Sequence, residues 1–225
     1  MITTPEKQAV LGAPSTPQEP GSDWLEKLRI LVGGADVGEV FGDSGSGKTK
    51  FCLTVALNLA AHNHRVLYLD AEENLAHADK LALSGAPNVH LKIVQSLKEV
   101  LDTVGALIPD PRSKKQPTRY DAIFVDSLGF NALIDFATMN QREKGDALLQ
   151  VIAVAGSLKR WAQATGGVAL LTNQPQSWMG VPQGDVRHPF GDKAEFAVKE
   201  LLYSKKVGRS ENGSPTRCRI EIFRS

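Results

Sequence analysis

The eight residues from Gly42 to Thr49 constrain the fold of this chain more than any other feature. They fill the pattern G-x-x-x-x-G-K-[ST] without a gap. Glycines in this pattern let the backbone curl so that several N–H groups point at one anion. An apolar strand is predicted before the loop, from Val37 to Phe41, and a helix after it, starting at Gly47-Lys48. Because a helix presents its positive end to an anion at its N-terminus, this context favours a phosphate-binding loop over a chance Gly/Ser-rich turn.

The types of residue in the loop predict which ligand it holds. In such loops the lysine reaches the β- and γ-phosphates of a nucleotide and the threonine hydroxyl ligates Mg²⁺. A D-x-x-G pattern, as in GTPases, runs from Asp126 to Gly129, but the N-K-x-D motif that reads guanine is missing from the sequence, so we expect ATP rather than GTP. The predicted binding residues are Gly42, Asp43, Ser44, Gly45, Ser46, Gly47, Lys48, Thr49 and Lys50.

Composition limits the class of protein. The chain has 225 residues, of which 42% are hydrophobic and 23% charged, as is ordinary for one soluble α/β domain. The formal net charge of +1 means that a nucleic-acid site would have to be a local basic patch. Cys52 and Cys218 are too few and too far apart for a disulfide framework or a metal knuckle. With no signal-like N-terminus and no long apolar run, we expect a cytoplasmic protein without a membrane segment.

Strand-like and helix-like segments alternate along the chain, which predicts an α/β fold with a mostly parallel sheet flanked by helices. Residues 1–22 are rich in Pro, Thr, Ser, Gln and Gly, so we expect a disordered tail there and one domain over 23–225. The last two strands are predicted to form a C-terminal antiparallel hairpin. The predicted strands are Val37–Phe41, Arg65–Leu69, Val89–Val94, Ala122–Val125, Val168–Thr172, Leu201–Lys206 and Arg217–Phe223. The predicted helices are one from Lys48, Leu97–Leu107, Lys144–Thr165 and Ala194–Glu200, and a short amphipathic segment runs from Trp24 to Val32.

Acidic side chains follow two of the predicted strands. Asp126 closes a buried strand, and ligands in open α/β sheets collect at the carboxyl ends of strands, so this carboxylate is placed for an outer-sphere contact with Mg²⁺. Glu72 and Glu73 follow a strand that we expect to neighbour the strand before the phosphate-binding loop. Either could orient the water that attacks ATP, although spacing alone is equally compatible with a solvated acidic turn.

An amide pair, Asn173-Gln174, ends another apolar strand. The Gln174 amide could hydrogen-bond the γ-phosphate and report its presence to the loop that follows. The alternative is an amide that only caps the strand end.

Taken in order, these elements resemble the RecA/RadA recombinase superfamily of P-loop ATPases. G-D-S-G-S-G-K-T (42–49) looks like its Walker A motif, and V-L-Y-L-D-A-E-E (66–73) like its strand ending in the catalytic glutamate. A-I-F-V-D-S (122–127) looks like its Walker B motif and L-L-T-N-Q (170–174) like its γ-phosphate sensor. The resemblance covers about residues 25 to 225 and implies a RecA-like core.

The resemblance implies roles for residues. Glu72 would be the catalytic base, with Glu73 as the competing candidate; Lys48 would bind phosphate, Gln174 would be the switch, and Thr49 with Asp126 would form the Mg²⁺ site. Residues 130–143 and 175–189 would be two DNA-binding loops. The residues expected to contact DNA are Trp178, Arg187, His188, Lys205, Lys206 and Arg209; the last three are also candidates to touch a neighbouring subunit's nucleotide.

The size of the chain and its short tail are most similar to RadB-type archaeal paralogues, whereas the Glu72-Glu73 pair looks like the KaiC-type branch, which comes second. The resemblance implies an ATP-dependent DNA-binding protein that acts in or regulates homologous recombination and DNA repair and hydrolyses ATP slowly. Its expected partners are single-stranded DNA, a RadA-type recombinase or other repair proteins, and copies of itself. The alternatives are a KaiC-like switch that binds proteins and not DNA, and a small-molecule kinase.

Overall fold

A computed structural model describes residues 8–9, 24–32, 34, 36–42, 45–73, 75–114, 116–128, 140–173, 200–209 and 215–224. Helices and strands alternate through most of this range, as the sequence predicts. The helices are α1 (Trp24–Leu31), α2 (Lys48–Ala61), α3 (His77–Gly85), α4 (Leu97–Gly105) and α5 (Gln141–Thr165); the strands are β1 (Gln8–Ala9), β2 (Val37–Phe41), β3 (Val66–Asp70), β4 (Val89–Ile93), β5 (Ala122–Asp126), β6 (Val168–Asn173), β7 (Glu200–Arg209) and β8 (Pro215–Arg224).

The described strands form one eight-stranded sheet in the order β1-β8-β7-β2-β6-β5-β3-β4. The neighbours from β7 to β4 all pair in parallel, whereas β8 is antiparallel to β7 and β1 is antiparallel to β8. The predicted α/β fold, mostly parallel sheet and C-terminal hairpin are therefore confirmed. β7, the first strand of the hairpin, pairs in parallel with β2 and therefore belongs to the parallel part of the sheet. Only its pairing with β8 is antiparallel.

Strand order differs from expectation at one place that matters for the site. β6 lies between β2 and β5, and β3 lies beyond β5. The prediction that the strand before Glu72 neighbours the strand before the phosphate-binding loop is therefore wrong. All six residues of β6 are buried, so β6 can occupy a central position with partners on both sides. The sequence signals this burial but not which strands flank β6.

Successive side chains of each strand point to opposite faces of the sheet, so the core has two layers. Tyr68, Phe124 and Leu170 face the layer that contains α1 and α2. Their neighbours along each strand face the opposite layer, where α4 and α5 pack and where Trp161 is fully buried. The helix that follows the phosphate-binding loop thus packs on the same face of the sheet as Tyr68 and Phe124.

Helix boundaries reveal two features that the sequence pattern did not predict. α3 was not expected, because only Leu83 of its nine residues is buried and its apolar periodicity is weak. α5 begins three residues earlier than predicted, because Asn140 and Glu143 form a reciprocal capping box. Residues 141–143 of the expected first DNA-binding loop are consequently helical.

Other expectations fall on residues that are described only in part. Within residues 1–22, Gln8 and Ala9 pair with Glu221 and Ile220 of β8, and the rest of that segment lies outside the described residues. So do residues 194–199 of the predicted helix that ends at Glu200, while Glu200 itself begins β7. In the described part of the chain, no helix combines the length and the apolar character needed to cross a membrane.

Gly38 tests the packing of α1 against the sheet. A Cβ at this position would lie 2.5 Å from Cγ1 of Val32 and 3.3 Å from Cδ1 of Leu170. Because Val32 is fully buried and β-branched, it cannot rotate away, and we expect Gly38→Ala to lower the free energy of unfolding by about 1–3 kcal/mol. Urea denaturation measures this change.

Gly156 provides the matched control. It lies inside α5, and an added Cβ would meet nothing within 4 Å. Gly156→Ala should therefore raise stability by about 1 kcal/mol through helix propensity alone. A Gly38→Ala protein as stable as the wild type would contradict the close contact between Val32 and β2.

Candidate active site

The phosphate-binding loop needs glycine where the backbone enters the left-handed region. Gly45 has φ of 66° and Gly47, which precedes α2, has φ of 97°. A residue with a Cβ would be strained in either conformation. Backbone geometry thus explains the glycines at positions 45 and 47. Asp43 and Ser44, two of the predicted binding residues, lie outside the described residues.

The two lysines at the end of the loop, Lys48 and Lys50, have different surroundings. Lys48, the first residue of α2, is 8% exposed, and its Nζ donates a 2.7 Å hydrogen bond to the Gly42 carbonyl. The Lys50 side chain is 72% exposed, and its Nζ lies 3.3 Å from Oδ1 of Asp79 in α3. The structure therefore brings Lys48 into the loop and pairs Lys50 with α3.

Asp126 joins the loop to the centre of the sheet. Its carboxylate is buried at the end of β5, and Oδ1 accepts a 3.2 Å hydrogen bond from the Thr49 hydroxyl. The same oxygen accepts from the Thr172 hydroxyl, and Oδ2 accepts a 2.7 Å hydrogen bond from the Tyr68 hydroxyl. Two residues 77 positions apart in sequence are thus in direct contact, as a shared metal site requires.

Thr49 and Asp126 have the donor chemistry that Mg²⁺ prefers. A hydroxyl that donates its proton to a carboxylate keeps its lone pairs for a metal, and Mg²⁺ takes oxygen ligands. Among the described residues no group of three or more His, Cys, Asp or Glu side chains could hold a metal ion alone. The two oxygen donors of Thr49 and Asp126 fit a cation that takes its other ligands from phosphate oxygens and water, as Mg²⁺ usually does.

Glu72 and Glu73 point to different places. The Ser127 hydroxyl donates a hydrogen bond to Oε1 of Glu72, so this carboxylate lies beside Asp126. Glu73 is exposed, has φ of 57°, and its backbone N–H donates a 2.9 Å hydrogen bond to Oδ1 of Asp70. The tight turn that this contact closes directs one glutamate toward the site and leaves the other at the surface.

Burial raises the pKa of two acidic groups near the site, Glu72 and Asp70. Burial raises the pKa of Glu72, the hydrogen bond from Ser127 opposes that rise, and the negative charge of Asp126 adds to it. Burial likewise raises the pKa of Asp70, whose Oδ2 lies 4.0 Å from Nζ of Lys80 in α3. A carboxylate that accepts a proton more readily than usual is suited to general-base chemistry near neutral pH.

Sequence reasoning did not single out several polar residues that complete the site. Tyr68 and Thr172 stand in otherwise apolar strands, and Ser127 follows Asp126 directly. The available signal was the alternation of the strands, since a polar residue at a core-facing position has to find a partner. Which partner it finds depends on strand order, which the sequence did not give.

The remaining predicted residues are described in part or not at all. Gln174, Trp178, Arg187 and His188 lie outside the described residues. Strand β7 pairs with β2 only as far as Tyr203, opposite Phe41, and continues to Arg209 with β8 as its partner. This section of β7, which carries Lys205, Lys206 and Arg209, therefore extends beyond the edge of the sheet where the phosphate-binding loop begins.

Comparison with known proteins gives two findings. Residues 37–163, more than half of the chain, match the AAA domain family. A "DNA repair protein RadA" from Listeria monocytogenes is 34% identical over 92 residues, which are 38% of this chain and 20% of that protein. The chain thus spans about a fifth of the length of the curated relative that it matches.

The contact between Glu72 and Ser127 predicts a measurable titration. We expect the Glu72 carboxyl to titrate above the ordinary glutamate pKa, because burial disfavours its charged form. Ser127→Ala should raise that pKa further, since it removes a hydrogen bond that favours the charged form. NMR titration of the glutamate side-chain carboxyl carbons measures both shifts.

Glu99 is the internal control for this titration. Its pKa is lowered by the Gln95 backbone N–H and by Lys92, so it should titrate below the ordinary value in both proteins. A Glu72 pKa at or below the ordinary value, or one that Ser127→Ala leaves unchanged, would contradict the burial of this carboxylate beside Ser127.

Proposed function

This chain belongs to the AAA domain family, and we propose that it binds ATP with Mg²⁺, hydrolyses it, and uses this cycle on DNA in recombination or repair. The observation that carries the ATPase part is the contact between Thr49 and Asp126 next to the loop that holds Lys48. This contact joins the first turn of α2 to the end of β5, where a nucleotide's phosphates and metal belong.

Each residue has a role that follows from its surroundings. The Lys48 ammonium, which donates to the Gly42 carbonyl in this structure, exchanges that contact for phosphate oxygens. Thr49 and Asp126 would hold Mg²⁺, which would supply positive charge to offset the negative charge of the phosphates. Glu72, oriented by Ser127, takes a proton from the water that attacks the γ-phosphate.

Two observations support a DNA-linked role. The first is the similarity to the bacterial "DNA repair protein RadA". The second is the part of β7 that extends beyond β2: its six residues span about 20 Å and carry three basic residues, while Lys205 pairs in register with Arg219 of β8. Between Lys199 and Ser225 seven Lys or Arg stand against three Glu, a local net charge of +4 that suits DNA phosphates.

Gln174 completes the proposed cycle. It follows Asn173 at the end of β6, and the Asn173 carbonyl accepts a 3.3 Å hydrogen bond from the Gly42 N–H. The strand end before Gln174 is thus tied to the phosphate-binding loop. We propose that the Gln174 amide senses the γ-phosphate and orders residues 175–189, which contain Trp178, Arg187 and His188, for binding single-stranded DNA.

We further propose that the protein is of the RadB-like type, assisting a RadA-type recombinase or other repair proteins and assembling with copies of itself in the cytoplasm. In such an assembly Lys205, Lys206 or Arg209 reaches a neighbour's nucleotide. The Glu72-Glu73 pair favours one alternative, a KaiC-like switch that binds proteins and not DNA.

ATP hydrolysis with and without single-stranded DNA tests the proposal. We expect Lys48→Ala to abolish turnover and Glu72→Gln to lower kcat by about 10²–10⁴-fold, because proton transfer by a general base contributes a factor of that size. Glu73→Gln should retain most of the activity, since its side chain is exposed. Lys98→Ala, which removes only an exposed ion pair with Asp102, is the control for surface substitution.

The DNA arm uses the same assay across a salt series. Single-stranded DNA should stimulate turnover, and the stimulation should fade as salt rises, because phosphate contacts release counterions. If single-stranded DNA does not change the rate of ATP turnover and does not bind at low salt, the proposed DNA-linked role is refuted and the KaiC-like switch is favoured. Full activity in Glu72→Gln, with loss in Glu73→Gln, would reverse the assignment of the base.

A further inference from the structure

Two buried hydroxyl groups contact the carboxylate of the proposed metal site, and neither belongs to the phosphate-binding loop. We propose that Tyr68 and Thr172 are positioning residues that fix the Asp126 carboxylate in the orientation that serves Mg²⁺ together with Thr49. This inference rests on the proposed nucleotide site and adds to it how the cation's partner is held.

Tyr68 holds one oxygen of the carboxylate. Its side chain is fully buried in β3, and its ring stacks on Phe124 with centroids 5.8 Å apart and planes 13° from parallel. Phe124 is also its register partner in β5, two residues before Asp126. The stacked ring therefore directs the Tyr68 hydroxyl to Oδ2 of Asp126, at 2.7 Å.

Thr172 holds the other oxygen from the opposite side of β5. It is fully buried in β6, and its hydroxyl donates to Oδ1 of Asp126, the oxygen that also accepts from Thr49. The Thr172 carbonyl accepts a 3.0 Å hydrogen bond from the Leu128 N–H. β6 is therefore connected to Asp126 through the Thr172 side chain. It is also connected through its backbone to the turn that follows Asp126.

The count of acceptor positions shows what this arrangement leaves for the cation. An ionised carboxylate accepts at about four positions. The hydroxyls of Thr49, Thr172 and Tyr68 take three, so one position on Oδ2 remains for a water bound to Mg²⁺. Because the carboxylate is buried, it depends on these donors for its hydrogen bonds and for its orientation.

Each hydroxyl also has an apolar replacement of similar shape. Tyr68→Phe keeps the ring against Phe124, and Thr172→Val keeps the branched side chain. Partners of this kind typically contribute about 10–100-fold to metal affinity. A purely structural role would not produce a loss confined to the metal-dependent part of nucleotide binding.

The test measures binding of a fluorescent ATP analogue to the full chain in Mg²⁺ and in EDTA. The ratio of the two dissociation constants reports the contribution of the metal. We expect Tyr68→Phe and Thr172→Val to keep the EDTA value within about twofold and to lower the ratio by about 10-fold or more. Thr172→Ser, which retains a hydroxyl, should keep a ratio near the wild type.

Tyr120→Phe is the matched control. Its hydroxyl contacts His90 just before β5 begins, at the end of that strand opposite to Asp126, so its removal should not change the ratio. An unchanged ratio in Tyr68→Phe and Thr172→Val would overturn the inference, and so would equal losses in Mg²⁺ and in EDTA. A wild type that binds no nucleotide would instead refute the proposed function itself.

Discussion

The buried carboxylate of Asp126 connects the elements on which the site depends. It ends β5, and through hydrogen bonds it reaches α2 by Thr49, β6 by Thr172 and β3 by Tyr68. The backbone reinforces this junction, since the Asp126 carbonyl accepts a 2.7 Å hydrogen bond from the Ala71 N–H. The turn that carries Glu72 is therefore fixed by the same residue that fixes the proposed metal site. Chemistry on a phosphate requires such a common reference point, because attacking water and metal must be aligned.

The charges around Asp126 favour the binding of a cation together with an anion. Burial raises the pKa of both Asp70 and Glu72, and the negative charge of Asp126 raises both further. Lys48 and Lys80 supply the opposing positive charge. A magnesium ion would relieve the repulsion among the carboxylates, and the loop's N–H groups and Lys48 would receive the phosphates. The arrangement thus suits Mg²⁺ and nucleotide together better than either alone.

The sequence predicts those features of the fold and the site that depend on residues close together in the chain. The phosphate-binding loop, the buried strands and Asp126 at a strand end all follow from motifs and periodicity within a few residues. Strand order could not be predicted, because β2 and β5 are both buried strands whose sequences do not indicate which strands lie beside them. Consequently the sequence does not show the partners of Tyr68 and Thr172. Spacing alone does not separate Glu72 from Glu73, whereas the turn at Asp70 directs them to different places. α3 was missed because it buries too little apolar surface to show a period.

Thr49 and Asp126 must act as one unit if they share a metal ion, and a double-mutant cycle measures their coupling directly. Thr49→Ala, Asp126→Asn and the double variant would be compared for the Mg²⁺-dependent part of ATP affinity. We expect the effects of the two single changes not to add, with a coupling energy of about 1 kcal/mol or more, because the residues are in contact. Additive effects would show that the two side chains contribute independently and would contradict a shared metal site.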